Sequence, residues 1–439
     1  MAGPLQNIKV LDLSRVLAGP WATQLLADYG AEVIKIERPQ VGDDTRQWGP
    51  PYLKDQAGQE TSESAYYLST NRGKKSVAVD ITQAEGQQLV RDLAKSVDVV
   101  IENFKVGGLK RYGLDYESLA KENPALIYCS ITGFGQTGPF ASHAGYDAMI
   151  QGMGGLMSIT GVPDGLPGAG PMKTGVAVAD LMTGMYAVSA ILSALYYRDN
   201  NVAQSSQAVD DAATKTEEGS KNNSQRATED KPRKGQYIDL SLLDTQVAWL
   251  ANQGMNYLCT GENPTRRGNG HPNIVPYQAI ETADGHIMLA VGNDEQFLRL
   301  CDLAGCADLA LLSSYATNAA RVKNRDALIK LLAVKIVLHD SSWWLKELEE
   351  KGIPCGPINS IAEALDHPQI KHRGMAVKLP HPLAGEMTAI KNPVVYSATP
   401  TEPPTAPPLL GQHTSQVLKE ILHLSDAKIA ELKAKGIID

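Results

Sequence analysis

Residues 8–37 read IKVLDLSRVLAGPWATQLLADYGAEVIKIE. The stretch opens on a short apolar run, Ile8 to Leu13, with the length of a strand rather than a helix. Ala18-Gly19-Pro20 punctuates the chain, and from Pro20 to Tyr29 the apolar residues fall at helical spacing. Glu32 to Glu37 (EVIKIE) then returns to a strand pattern. Strand, helix and strand within roughly thirty residues make a β-α-β unit, which commits the chain to a parallel strand pair. The turn SRVLAGP lacks G-x-G-x-x-G, so the glycines that let a backbone approach a nicotinamide dinucleotide are missing.

The same theme recurs outward from this unit. Strand patterns at Ser76–Asp80, Asp98–Ile101 and Leu126–Ile131 alternate with a helical pattern over residues 83–95. An α/β fold is expected, with a Rossmann-like large domain built on a doubly wound parallel sheet. Leu181 to Tyr197 carries no charge but falls short of the ~20 apolar residues of a membrane span, and reads as a buried core helix. From Asp199 to Lys234 apolar residues almost vanish, so that segment is expected to be a disordered insertion. Gln236 to Leu243 resumes a strand pattern, and a long helix is expected to run to about Tyr257. Strands at Tyr277–Ile280 and His286–Val291, with helices around Glu295–Leu303 and Arg325–Val337, predict a smaller α/β domain. The expected layout is a large domain over 1–198 completed by 400–439, an insertion at 199–234, a linker over 235–275 and a small domain over 276–399. The Pro-rich stretch 399–414 reads as an extended connector.

Composition bounds the function. The 439 residues carry 41 Lys plus Arg against 49 Asp plus Glu, a net charge of −8. Such a chain repels nucleic acid and anionic membrane, so neither is expected as a partner. Five cysteines without a Cys-x-x-Cys pair support neither a disulfide framework nor a zinc ribbon, and no metal site is expected. The opening MAGPLQNIKV has no signal or transit character, so a cytoplasmic location is the expectation. There is no G-x-S-x-G elbow, H-E-x-x-H or P-loop. What remains is Asp180, a lone carboxylate among small and apolar residues in GVAVADLMTG. It reads either as a helix cap or as a desolvated nucleophile, and the pattern leaves both open.

Ten motifs carry a resemblance along nearly the whole chain. They include LDLSRVLAGPWATQLLADYGAEVIKIERP (11–39), GDDTRQWGPP (42–51), NRGKKSVAVD (71–80), VIENFKVGGLKRYG (100–113), YCSITGFGQTGP (128–139), AGYDA (144–148), GVAVADLMTG (175–184) and PPLLGQHT (407–414). In these the sequence resembles the class III (family III) CoA-transferases, and most of all their succinyl-CoA:glutarate branch. The resemblance implies an interlocked homodimer, acyl-CoA and carboxylic acid substrates, and no metal or organic cofactor. It implies that Asp180 is the nucleophile that becomes an aspartyl-CoA thioester.

By motif position the family's CoA contacts fall on Val16, Leu17, Ala18, Arg38, Asn103, Phe104, Lys105 and Arg111, with Tyr146 and Asp147 near the thioester. Gly268, Asn269, Gly270 and His271 match the family's glycine loop. For the second carboxylate of a dicarboxylic acid, Arg46 is the leading candidate, ahead of Arg72, Lys74, Lys75 and Arg267. Leu17 stands where formyl-CoA transferase has glutamine, which speaks against formyl or oxalyl substrates. α-Methylacyl-CoA racemases carry Gly-His-Asp where this chain has Gly145-Tyr146-Asp147, and a tyrosine is a poor base near neutral pH. That isomerase chemistry and a non-catalytic acyl-CoA-binding role are the competing expectations.

Overall fold

The computed structural model describes residues 3–213, 233–401 and 404–439. They divide into two units, one of residues 3–154, 175–249 and 374–439, the other of 155–174 and 250–373.

In the first unit six parallel strands form one sheet in the order Lys74–Ala78, Glu32–Glu37, Lys9–Asp12, Val99–Glu102, Ile127–Thr132, Gln236–Ser241. In chain order this is 3-2-1-4-5-6, the doubly wound arrangement whose order reverses between the first and fourth strands. Period-two alternation sends side chains to two cores. Leu11, Ile34, Val100 and Tyr128 enter one, while Val10, Val33, Val99, Ile101 and Cys129 enter the other. Strands apolar on both faces must be covered by helices on both sides.

The helix Ala18–Asp28 covers the second core together with Val178–Ala213. Gly184 allows their close approach, because a Cβ there would lie 2.8 Å from the Ala18 carbonyl oxygen. The Val178–Asn200 part of the Val178–Ala213 helix is apolar and long enough to cross a membrane by length and composition. It is only half a core helix: Ala187, Val188, Ile191, Ala194 and Leu195 are buried, while Met185, Tyr186, Tyr196 and Tyr197 are exposed.

Several boundaries differ from expectation. The Val178–Ala213 helix continues through the first fifteen residues of the segment expected to lack order. No Gly or Pro interrupts 199–213, and propagating a helix already nucleated costs far less than starting one. The rest of that expectation, 214–232, lies outside the described residues. The long helix expected after Gln236 is two, Leu242–Ala248 and Ala251–Thr260, separated where Ala251 takes φ +46°. The hairpin Ala376–His381/Gly385–Ile390, expected in the small domain, belongs to the first unit. Asn392 beyond it donates to Asp28 at 3.3 Å, and Tyr396 packs edge-on against Tyr29. PPLLGQHT returns to the edge strand, where His413 Nδ1 and Thr414 Oγ1 accept the Ser76 and Ala78 N–H groups.

The second unit holds an antiparallel three-stranded sheet of Tyr277–Glu281, His286–Ala290 and Cys355–Pro357. Its core of Ile287, Leu289, Phe297, Leu300, Leu328, Leu332 and Trp344 is closed by short helices. Residues 155–174 join it because Gly268 N–H donates to the Gly161 carbonyl and Arg266 pairs with Asp164.

Candidate active site

The sheet's order reverses where Lys9–Asp12 and Val99–Glu102 run side by side, so the loops leaving their C-terminal ends diverge and open a crevice. Two cavities of about 330 and 270 Å³ lie there and share Arg15, Asp44 and Phe104. The larger is lined by Arg38 and Arg111. Neither arginine makes an ion pair within 4.0 Å among the described residues, although Arg38 acts on Asp80 of the same cavity. The smaller is lined by Val16, Leu17, Ala18, Asn103, Phe104, Lys105, Tyr146 and Asp180. Its floor is tight: a Cβ on Gly133 would lie 2.6 Å from the Gly145 Cα, so both loops need glycine to cross.

Asp180 stands in the first turn of the Val178–Ala213 helix. A carboxylate there is ordinarily favoured by free N–H groups. Those groups are engaged, because Asp147 Oδ1 accepts from Ala179 N–H at 2.8 Å and from Asp180 N–H at 3.4 Å. Burial, and then the charge of Asp147, push the Asp180 carboxyl up to about 7. Asp147 therefore caps the helix that carries Asp180. It does not line either cavity, but it lies against Asp180. Of the two openings left by the sequence, capping is the work of Asp147, and Asp180 is a carboxyl that lines the cavity, as Asp44 does.

Arg46 departs from its expected role. Its Nε and Nη2 donate to the two oxygens of Glu37 at 2.8 and 2.9 Å, Nη2 also to the Pro408 carbonyl at 3.1 Å, and Nη1 to Glu63 at 3.4 Å. The guanidinium lies over Tyr67, 3.6 Å from the ring centre. Both Arg46 and Glu37 are buried, so no edge of the fork is left for a substrate. Three other candidate cations are also held: Arg72 by Asp28, Lys74 by Asp12 and Lys75 by Glu32. Arg267 is exposed, and no ion pair holds it among the described residues.

The loop Gly268–His271 belongs to the second unit. Gly268 takes φ +58°, which glycine adopts freely. His271 stacks on Tyr277 with ring centres 5.1 Å apart, and its carbonyl accepts from Arg325 at 2.9 Å.

Sequence reading passed over several residues at the crevice. Arg15 lines both cavities and lies over Phe104, 4.8 Å from its centre; its position inside SRVLAGP was the available signal. Tyr66 is close enough to Asp180 that burial and then that charge push its phenol up to about 12, and Trp48 packs edge-on against it. Nothing local in the sequence marks either. Among the described residues no group of three or more His, Cys, Asp or Glu could hold a metal ion.

A carboxyl at the wall of a crevice that also presents unpaired arginines suits attack on a ligand with an anionic tail. The model of CoA-transferase family III matches residues 5–216 and 225–414. The chain belongs to CoA-transferase family III. It is a CoA-transferase, similar over 95% of its length, at 48% identity, to succinate–glutarate CoA-transferase of Agrobacterium fabrum, of which it covers 96%. It is 42% identical to succinyl-CoA:glutarate CoA-transferase of Homo sapiens over 99% of this chain and 90% of that one. Among solved structures, a CAIB/BAIF family protein from Brucella suis superimposes with a TM-score of 0.78 at 45% identity, covering 96% of this chain and 100% of the other. The family III membership confirms the resemblance read from the motifs, and the parallel sheet with its smaller antiparallel companions confirms the expected α/β class.

Proposed function

We propose that this family III CoA-transferase moves CoA from succinyl-CoA to glutarate or a related dicarboxylate, with Asp180 as the covalent carrier. The observation that carries the reading is the position of Asp180 in the wall of the cavity lined by Val16–Ala18 and Asn103–Lys105. The names of the relatives at 48 and 42% identity support the substrate pair.

In the proposed sequence an Asp180 carboxylate oxygen attacks the succinyl thioester carbon, the C–S bond breaks and CoA leaves as thiolate, giving an aspartyl–succinyl anhydride. The thiolate attacks the aspartyl carbonyl and releases succinate, leaving aspartyl-CoA. Glutarate attacks that thioester, CoA thiolate leaves again and then attacks the glutaryl carbon, which restores the Asp180 carboxylate. Each step exchanges one carboxylate for one thiolate, so no proton, metal or redox partner enters the balance. Arg38 and Arg111 would hold the phosphates of CoA. The same reading includes a homodimer and, from five free cysteines, a reducing, cytoplasmic setting.

The test is exchange from succinyl-CoA to a panel of mono- and dicarboxylates by wild-type protein, Asp180→Ala and Asp180→Asn. Glutarate should lead the panel, both variants should lose about 10³-fold or more, and wild type alone should trap a CoA adduct. Substantial exchange by Asp180→Ala removes the covalent role. Preference for formate, oxalate or carnitine removes the substrate assignment.

A further inference from the structure

Val16 is one of four non-glycine residues with positive φ among the described residues, at +70°. For a β-branched side chain this is the most strained choice, because its Cβ crowds the neighbouring carbonyl. The first half of the turn Ser14–Ala18 is held at both backbone groups of Ser14 and Arg15 and at the Val16 N–H. Ser14 N–H donates to Asp12 at 2.9 Å, and its carbonyl accepts from Lys35 Nζ at 2.8 Å. Arg15 exchanges two hydrogen bonds with the Asn103 side chain, at 2.9 and 2.6 Å. Val16 N–H donates to both oxygens of Asp43, at 3.2 and 3.3 Å. Asp43 is itself 3.0 Å from Lys35 Nζ, and both side chains are fully buried. A fully buried ion pair is costly to assemble and gives little stability in return. Strain and buried charge meet at one turn, and that turn lines the smaller cavity through Val16, Leu17 and Ala18.

We propose that Asp43, braced by Lys35, is a positioning residue that holds Val16 in its left-handed conformation, so that the Val16–Ala18 wall is already shaped for the arm of CoA before it binds. The inference rests on the reading of that cavity as the CoA site. Binding to a preformed wall avoids the ordering cost of a free turn, and strain kept at a ligand clamp persists only where its surroundings over-determine it.

The experiment is calorimetric titration of CoA into four proteins: wild type, Asp43→Ala, Val16→Gly and the double variant. Loss of the Asp43 acceptor should weaken CoA binding about tenfold or more when Val16 is present, the scale of one hydrogen bond to a charged group. Glycine reaches positive φ without a clamp, so in the Val16→Gly background the same loss should fall below about threefold. In kinetics the KM for succinyl-CoA should rise while kcat at saturation changes little. Equal losses in the two backgrounds, or a fall in kcat alone, overturn the proposal in favour of a merely structural ion pair. If Asp43→Ala does not fold, the cycle is run with Asp43→Leu, which fills the volume without supplying an acceptor, and is judged by the same inequality. CoA binding requires no turnover, so this outcome is independent of whether Asp180→Ala abolishes exchange.

Discussion

Burial, and after it the charge of Asp147, raise the Asp180 carboxyl from 3.8 to about 7. A protonated carboxyl is a poor nucleophile, so the transfer rate should climb as pH rises through about 7 and flatten above it. Asp147→Asn removes the charge while keeping an acceptor for Ala179 N–H, so the rising limb should move to lower pH. A pH–rate profile on both proteins checks this, and an unmoved limb assigns the limb to another group. The sign for stability is opposite. A carboxyl raised in the folded state favours folding while protonated and loses that contribution as pH rises through about 7. Asp180→Asn should therefore melt higher than wild type at pH near 8, on the alkaline side of that shift. Arg46 behaves otherwise. Removing it leaves Glu37 and Glu63 buried without their counter-charge, and Arg46→Met should cost about 3–5 kcal/mol in denaturant unfolding. The KM for dicarboxylates of the folded fraction should stay at its wild-type value. A selective rise in that KM would return Arg46 to the substrate.

At the scale of elements, the Val178–Ala213 helix has two parts with different duties. Ala179, Thr183, Ala187, Val188, Ile191, Ala194, Leu195 and Arg198 are buried, so the segment through Arg198 docks the helix on the sheet and fixes Asp180 at its first turn. Just beyond, Arg233 approaches Asp199 at 3.8 Å, so the chain returns near the point from which it left. A short linker can therefore bridge the gap. Deletion of 202–230 with such a linker should leave melting temperature and transferase rate unchanged, measured by thermal denaturation and the glutarate assay. A lower melting temperature would show that the segment carries packing.

For the whole molecule, Tyr196, Tyr197 and Trp249 of the first unit and Tyr257 and Leu258 of the second are exposed. Sedimentation at micromolar protein should give a dimer, and an active monomer at that concentration contradicts the assembly expected of the family. The strands of the large sheet and their parallel direction were legible in the sequence, as was Asp180 as a carboxyl without a local partner, open to a capping or a nucleophilic reading. Each rests on interactions between near neighbours: period-two burial, helical spacing, and one charge with no local partner. Asp147 and Arg46 were legible only as motif members. Their neighbours in the motif gave no hint that one caps a helix beginning at Val178 and that the other faces Glu63 and the carbonyl of Pro408. The local pattern of residues 8–37 determined a β-α-β unit and hence a parallel sheet, because a short crossover helix permits no other pairing. Which cations remain free for a ligand, and why Val16 is held at positive φ, only the tertiary structure decided. Both depend on carboxylates brought from elsewhere in the chain, Asp43 from 27 residues after Val16 in one case and Glu37 and Glu63 from 9 residues before and 17 after Arg46 in the other, and the cost of burying a charge is set by the partner it meets there.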